Sequence, residues 1–361
     1  MWAQLRFLGV NGGNSVDMFF IVESEQRSDS QAATWWTPPN STAVIALGDV
    51  TDAFTSAIVQ FGNGEIQSLS LPPHATTTIR HSQANQTNKT SESVSITIAG
   101  QAGSIIPTGI IEAANHNSNS VIRFYDTKRT KQSNLYANGL TLKNSTPHLI
   151  LSNTSPVSLS AVPKFIPTEG IAANPISLPP VDLEPYQSIE VNLNSLMNKV
   201  KNRKDLDVVS VQVDTNAAPG SLIGAIYTTE KGTNFSYEIP LRDSGSVRTM
   251  TGSYPWKADE GFSTTVYITN ITDIQQEFVG QVNFEGGKLT LKPRKLAPGE
   301  TAEIDLKKLR DEQKTDDLGG KIPGHIRQGQ FRWAVHGVTE GKLALIGRAV
   351  MKSKSNKIMT S

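Results

Sequence analysis

The 361-residue chain contains no cysteine. Disulfides, thiol catalysis and cysteine-ligated zinc or iron–sulfur centres are therefore excluded by composition. Long apolar runs are missing too, since none approaches the roughly 20 residues a membrane-spanning helix requires. Net charge is small. Lys and Arg total 34 against 33 Asp and Glu, a formal +1, so no global field steers the chain toward nucleic acid or an anionic membrane. Amphipathic helical patterns of about 10–15 residues, which would have to alternate with parallel strands, are absent as well. The start, Met1 to Gly9, lacks the charged region, apolar core and small-residue cleavage site of a signal peptide.

Turn and strand chemistry is what the chain has in abundance. It carries 28 Gly and 19 Pro among many Ser, Thr and Asn, which suits short strands joined by tight turns. The length allows two to four domains with cores of their own.

Three landmarks recur in register. The first is a β-rich run ending in a turn residue: Thr42 to Gly48, His148 to Asn153, and Thr265 to Asn270, with steps of 105 and 117 residues between the turn residues. The second places Pro two residues after a Leu and an aliphatic residue eight after it, as in Leu71–Ile79, Leu183–Val191 and Leu296–Ile304. The third is a Gly-led strand beginning at Gly103, Gly220 and Gly341. Three landmarks repeating over about 110 residues predict tandem modules. Within a module the period is two: Phe331, Trp333 and Val335 share one face, as half-buried strands require. Leu306–Gln313 and Leu193–Val200 are expected to form short helices, too small for a layer.

The fold expected is all-β, a tandem series of immunoglobulin-like antiparallel β-sandwiches. Residues 1–33 read as the closing hairpin of a preceding module, followed by modules at 34–136, 137–250 and 251–361. On that reading the chain is a piece of a longer protein, and the missing signal peptide is uninformative.

Two stretches carry a resemblance. Tyr254-Pro-Trp256 with Ser263 to Asp273 is one, and Asn283 through Leu306–Gln313 to Arg348 is the other. Together they resemble uncharacterised bacterial exported proteins built from tandem immunoglobulin-like modules. The match is best over residues 250–350, and upstream only the landmarks survive. Members of that group continue into a short Cys-rich tail that this sequence does not contain. The resemblance implies fold and export, and no activity.

Candidate chemistry is thin. The six histidines, His74, His81, His116, His148, His325 and His336, show no metal-site spacing. Asp316 with Asp317, Asp205 with Asp207, and Asp49 with Asp52 offer oxygen to calcium, yet none extends to a dedicated loop. Nothing singles out two carboxylates for glycoside hydrolysis. No G-x-S-x-G elbow exists, and Asn11-Gly-Gly and Glu285-Gly-Gly read as hairpin turns. Lys199, Lys201, Arg203, Lys204 and Lys288, Lys292, Arg294, Lys295 form basic clusters without interleaved aromatics, so they read as solvated faces and not as nucleic-acid contacts. The N-x-S/T sequons, for example at Asn40, Asn153 and Asn270, arise readily in such a composition.

Aromatics at module entrances are the sharpest candidates: Trp35, Trp36, Tyr254 and Trp256. Exposed, they would stack on sugar rings or anchor a partner; buried, they would plug the sandwich end. The plug is favoured, because the second module has Asn138-Gly-Leu there. The function expected is a non-catalytic extracellular or cell-surface protein, acting as structural spacer, adhesin-like array or assembly component. A protein partner or self-association is expected, with no cofactor and no metal. The alternative is a carbohydrate-binding accessory array of a larger secreted enzyme, and a third is a hydrolase whose catalytic module lies elsewhere.

Overall fold

The computed structural model describes residues 3–11, 14–22, 28–37, 41–82, 91–112, 119–142, 145–167, 175–197, 208–230, 236–243, 250–259, 261–336, 345–353 and 358–360. Asn40, His116, the cluster Lys199–Lys204, and Asp205 with Asp207 lie outside these.

The described chain is nearly all strand, and every pairing in its sheets is antiparallel. A two-stranded hairpin, Ala3–Asn11 with Asn14–Val22, precedes six larger sheets. These six fall into three pairs, each enclosing a hydrophobic core. Alternation selects the inward face: in Thr42–Asp49 the residues Ala43, Ile45 and Leu47 enter the first core, as the two-residue strand period requires.

One strand order recurs. In the first pair, Ser30–Trp36 bonds to Ser91–Ala99, which bonds to Thr55–Phe61 and onward to Ile66–Leu71. Opposite it, Thr42–Asp49 lies between Thr76–Ser82 and Ile105–Glu112. In the second pair, Leu135–Thr141, Val208–Thr215 and Leu159–Pro167 repeat the first sheet, and Ser188–Asn192, Ser145–Asn153 and Leu222–Glu230 the second. In the third the same roles fall to Thr251–Lys257, Gln328–Val335 and Gln276–Phe284, and to Thr301–Asp305, Phe262–Asn270 and Leu345–Ser353. The immunoglobulin order places the first and second strands in one sheet and the sixth and seventh in the other. Here the first strand bonds to the sixth and the second to the seventh, so first and seventh have exchanged sheets. Periodicity reports strands and faces but is silent on which edge a terminal strand joins.

Ser30–Trp36 spans residue 34 and Leu135–Thr141 spans residue 137, the starts expected for the first and second modules. Two short helices follow the fifth strands, Leu193–Met197 and Leu306–Asp311. Asn192 accepts from Ser195 N at 3.1 Å and Asp305 from Lys308 N at 2.9 Å, each satisfying an amide that the helix itself leaves open.

The three pairs also stack on one another. The first sheet of one pair lies against the second sheet of the next, as contacts of Ser30–Trp36 with Ser145–Asn153 and Leu222–Glu230 show. Leu135–Thr141 meets Phe262–Asn270 and Leu345–Ser353 in the same way. Strands at these joints are therefore buried on both faces, as in the unbroken run from Gln31 to Trp35. Gln276–Phe284, in the first sheet of the third pair, alternates from Gln276 to Asn283 instead.

Candidate functional site: buried joints, a charged cleft and three Asx corners

The entrance aromatics divide. Trp35 and Trp256 are 0% and 1% exposed and fill the first and third cores, so neither has a ring face open to a sugar. Trp35 pairs with Glu92, Leu140 with Val209 and Trp256 with Gly329, each partner being the second residue of its strand. Leu140, also wholly buried, thus takes the tryptophan's place in the second core. What recurs is a large apolar side chain, which is what a core needs. Tyr254 is half-buried against the third core, and burial pushes its phenol above the ordinary value. Trp36 is half-buried and stacks on His148 of the second pair, with centroids 5.0 Å apart.

At the first joint a chain of hydroxyls crosses between sheets. Thr34 Oγ1 lies 2.7 Å from Ser152 Oγ, which lies 2.6 Å from Ser188 Oγ. Tyr227 Oη donates to Thr34 O at 3.3 Å, and Ile150, Ala225 and Tyr227 extend the first core across the joint. At the second joint Ser210 Oγ lies 2.6 Å from Thr301 Oγ1, itself 2.8 Å from Thr269 Oγ1. Tyr267 and Val350 there join the second core. The strand Leu135–Thr141 slips register between Ala137 and Leu140, a bulge made possible by Gly139 at φ +66°. Arg348 Nη1 donates to the carbonyls of Asn138 and Gly139 at 3.3 and 2.8 Å, and Asn138 Nδ2 donates to Tyr267 O and Ile346 O. The carbonyls of Asn138, Gly139, Tyr267 and Ile346 thereby gain side-chain donors across the joint.

Beside this joint a cleft gathers side chains from all three pairs: Arg123, Asn138, Glu238, Arg242 and Arg348. Burial pushes the Glu238 carboxyl up to about 7, against the opposing pull of Arg123 and of a hydrogen bond from Tyr227. Burial likewise raises the phenols of Tyr125 and Tyr227, helped by the nearby Glu238 charge. No nucleophile accompanies the carboxyl among the cleft's lining residues. The cleft can hold or release a proton near neutrality, and its guanidinium groups suit a carboxylate or other small anion.

The repeated turn residue proves to be the third structural site. Asn153 and Asn270 end their strands 2% and 0% exposed. Each Oδ1 accepts from the amide two residues on, that of Ser155 or Thr272, whose hydroxyl shares its one hydrogen between that Oδ1 and the carbonyl of Val157 or Ile274. Each Nδ2 donates to three carbonyls: Val157, Leu183 and Glu184 in one corner, Ile274, Leu296 and Ala297 in the other. These amides are committed inside the protein, which accounts for the two sequons as corner chemistry. The residue that ends the equivalent strand in the first pair is Asp49, not Gly48. A glycine before an acid resembles a turn, whereas Gly48 pairs within the strand opposite Thr76 and Ile106. The signal missed was Asx-x-Ser/Thr at a strand end, present in all three copies.

Elsewhere the candidates settle as local structure. Asp316 accepts from Thr290, Leu318 and Gly320 amides and organises a turn, while Asp317 and Lys292 form an exposed ion pair. His81 stacks on Phe61, with Glu92 at 3.6 Å, and His148 reaches Glu190 at 2.5 Å. Among the described residues no group of three or more His, Cys, Asp or Glu side chains could hold a metal ion, and no helix is long and apolar enough to cross a membrane.

No family model and no curated protein matches the chain. A solved structure titled "Crystal Structure of Thermotoga maritima 1070" is similar over 30% of this chain and 92% of its own, at 14% identity and a TM-score of 0.25. At that score the likeness carries no argument.

Proposed function

We propose that the protein is a non-catalytic spacer or assembly scaffold of tandem β-sandwiches, working outside the cell or at its surface through contacts with other proteins. Each sheet pair is taken as one module, immunoglobulin-like in its two antiparallel layers, with the first and seventh strands exchanged. The observation that supports this reading is the pair of buried joints. Cores run across them, and hydroxyl chains and Arg348 make hydrogen bonds through them. Domains joined by short wet linkers rotate against each other by default, and a large apolar interface is what prevents it. A series of sandwiches locked this way holds its ends at a fixed separation, which is what a spacer needs. The cleft of arginines and Glu238 is the place where a partner's acidic side chain would dock.

Small-angle scattering on the purified chain tests the reading. One rigid shape should fit the wild type, and the Arg348→Ala variant should need a broader set of shapes. A wild type that already requires freely rotating sandwiches contradicts the scaffold. The carbohydrate alternative has lost ring faces at Trp35 and Trp256, and a glycan array showing tight, aromatic-dependent binding would restore it.

A further inference from the structure

The three corners share one frame and differ at one atom. Asp49, Asn153 and Asn270 each donate their main-chain amide at 2.9 Å, to Ala75 O, Gln187 O and Glu300 O. Each Oδ1 takes the amide and hydroxyl two residues on, in the first corner those of Thr51 at 2.7 Å. Thr51 Oγ1 shares its one hydrogen with Ala53 O, as Ser155 and Thr272 share theirs with Val157 and Ile274. The strand that follows pairs Thr55 with Leu71, Leu159 with Leu183 and Gln276 with Leu296. The facing turn closes identically, Ala75 N to Pro72 O, Gln187 N to Glu184 O and Glu300 N to Ala297 O, with His74, Tyr186 and Gly299 at positive φ.

In two corners an amide Nδ2 fills the centre and gives its hydrogens to three carbonyls. In the first, that place belongs to a carboxylate oxygen. Asp49 is 4% exposed, and among the described residues its Oδ2 has no hydrogen-bond donor. The carbonyls matching those of the other corners are Ala53, Leu71 and Pro72. Among the described residues the Thr55 hydroxyl, 3.3 Å from Thr51 Oγ1, is the one further donor group beside the carboxylate, and a buried carboxylate oxygen facing carbonyls repels them unless a positive centre sits between. Each carbonyl keeps a second lone pair after its main-chain bond. Carboxylate and carbonyl oxygens are the ligand set of hard cations.

We propose that the Asp49 corner is a cation site, in which Oδ2 and the carbonyl oxygens of Ala53, Leu71 and Pro72 hold calcium or sodium where the other corners hold an amide nitrogen. A single carboxylate supplies little charge, so affinity falls in the weak, roughly millimolar range of extracellular modules. The other charged groups facing the corner are His74 and Asp52, paired with each other at 2.8 Å on the outside.

The test is thermal unfolding of the chelator-treated full chain in calcium, sodium or magnesium at constant ionic strength, beside Asp49→Asn and Asn153→Asp. Calcium or sodium should raise the wild-type Tm by at least about 2 °C, and the responding ion identifies the cargo. Asp49→Asn should abolish the response and match the cation-loaded wild type without any ion. Asn153→Asp should create a second cation response in the second sheet pair. A wild-type Tm indifferent to all three ions overturns the proposal, and so does an equal response in Asp49→Asn. A Tm that instead climbs as pH falls, with no ion effect, assigns a proton to Oδ2 and overturns it too.

Discussion

The two joints solve one problem with different chemistry. Both lay the first sheet of one pair on the second sheet of the next, and both run a hydroxyl chain through the contact. Ser152 and Ser188 in one occupy the places of Thr269 and Thr301 in the other, being paired across the same two strands. Beyond that they part. The first joint is aromatic, with Tyr227 reaching Thr34 and Trp36 on His148. The second carries a guanidinium: Arg348 stands opposite the bulge at Asn138 and Gly139, and Tyr267 packs on that glycine. Small hydroxyls therefore set the spacing of the sheets, while the larger groups set how firmly each joint resists opening.

The largest effect should come from the bulge. Gly139→Val would place a Cβ 2.6 Å from Tyr267 Cδ2 at a φ of +66°, and should cost about 3 kcal/mol in urea unfolding. No matching cost is expected from Ala33→Gly at the first joint beyond about 1 kcal/mol, the ordinary price of strand glycine. Next comes Arg348→Met, which leaves two buried carbonyls without their donor and should lose about 2–3 kcal/mol. A loss below about 0.5 kcal/mol would mean that the guanidinium does not seal the joint. Tyr227→Phe removes the hydroxyl shared between Thr34 O and Glu238 and should cost about 1 kcal/mol, making the first joint the less sensitive of the two.

How legible was this beforehand? Strands and turns were plain, because Val, Ile and Thr at period two and Pro-Gly breaks leave few alternatives. Trp35 and Trp256 were expected where the chain approaches a first strand, whereas each is the sixth of seven residues in that strand, and the Leu140 exception pointed toward packing. Strand partners were not legible, since a first strand has the same pattern whichever edge it joins. The joints were hidden for a related reason. Thr34, Ser152, Ser210 and Thr269 read as solvent-facing residues of half-buried strands, and only a second sheet laid on that face turns them inward. Arg348 and Glu238, far apart in the chain, carry no local mark of the cleft they share.

A separate effect belongs to pH. Glu238 is held near 7 in the fold and titrates near 4.5 when unfolded, so the native state keeps the extra proton between those values. Stability should fall as pH rises through that window and level off above it. Glu238→Gln should flatten the slope, with denaturant midpoints at pH 5 and 8 as the readout.

The stacked joints themselves can be tested without any competing thiol, because the chain has no cysteine. Thr34 Oγ1 and Ser152 Oγ are 2.7 Å apart across the first joint, so thiols at these positions would face each other directly. In a Thr34→Cys, Ser152→Cys variant, mild oxidation should close an intramolecular disulfide in nearly every molecule while circular dichroism stays unchanged. Two free thiols that remain reactive in the folded, oxidised protein would contradict the face-to-face joint and the rigid scaffold built on it.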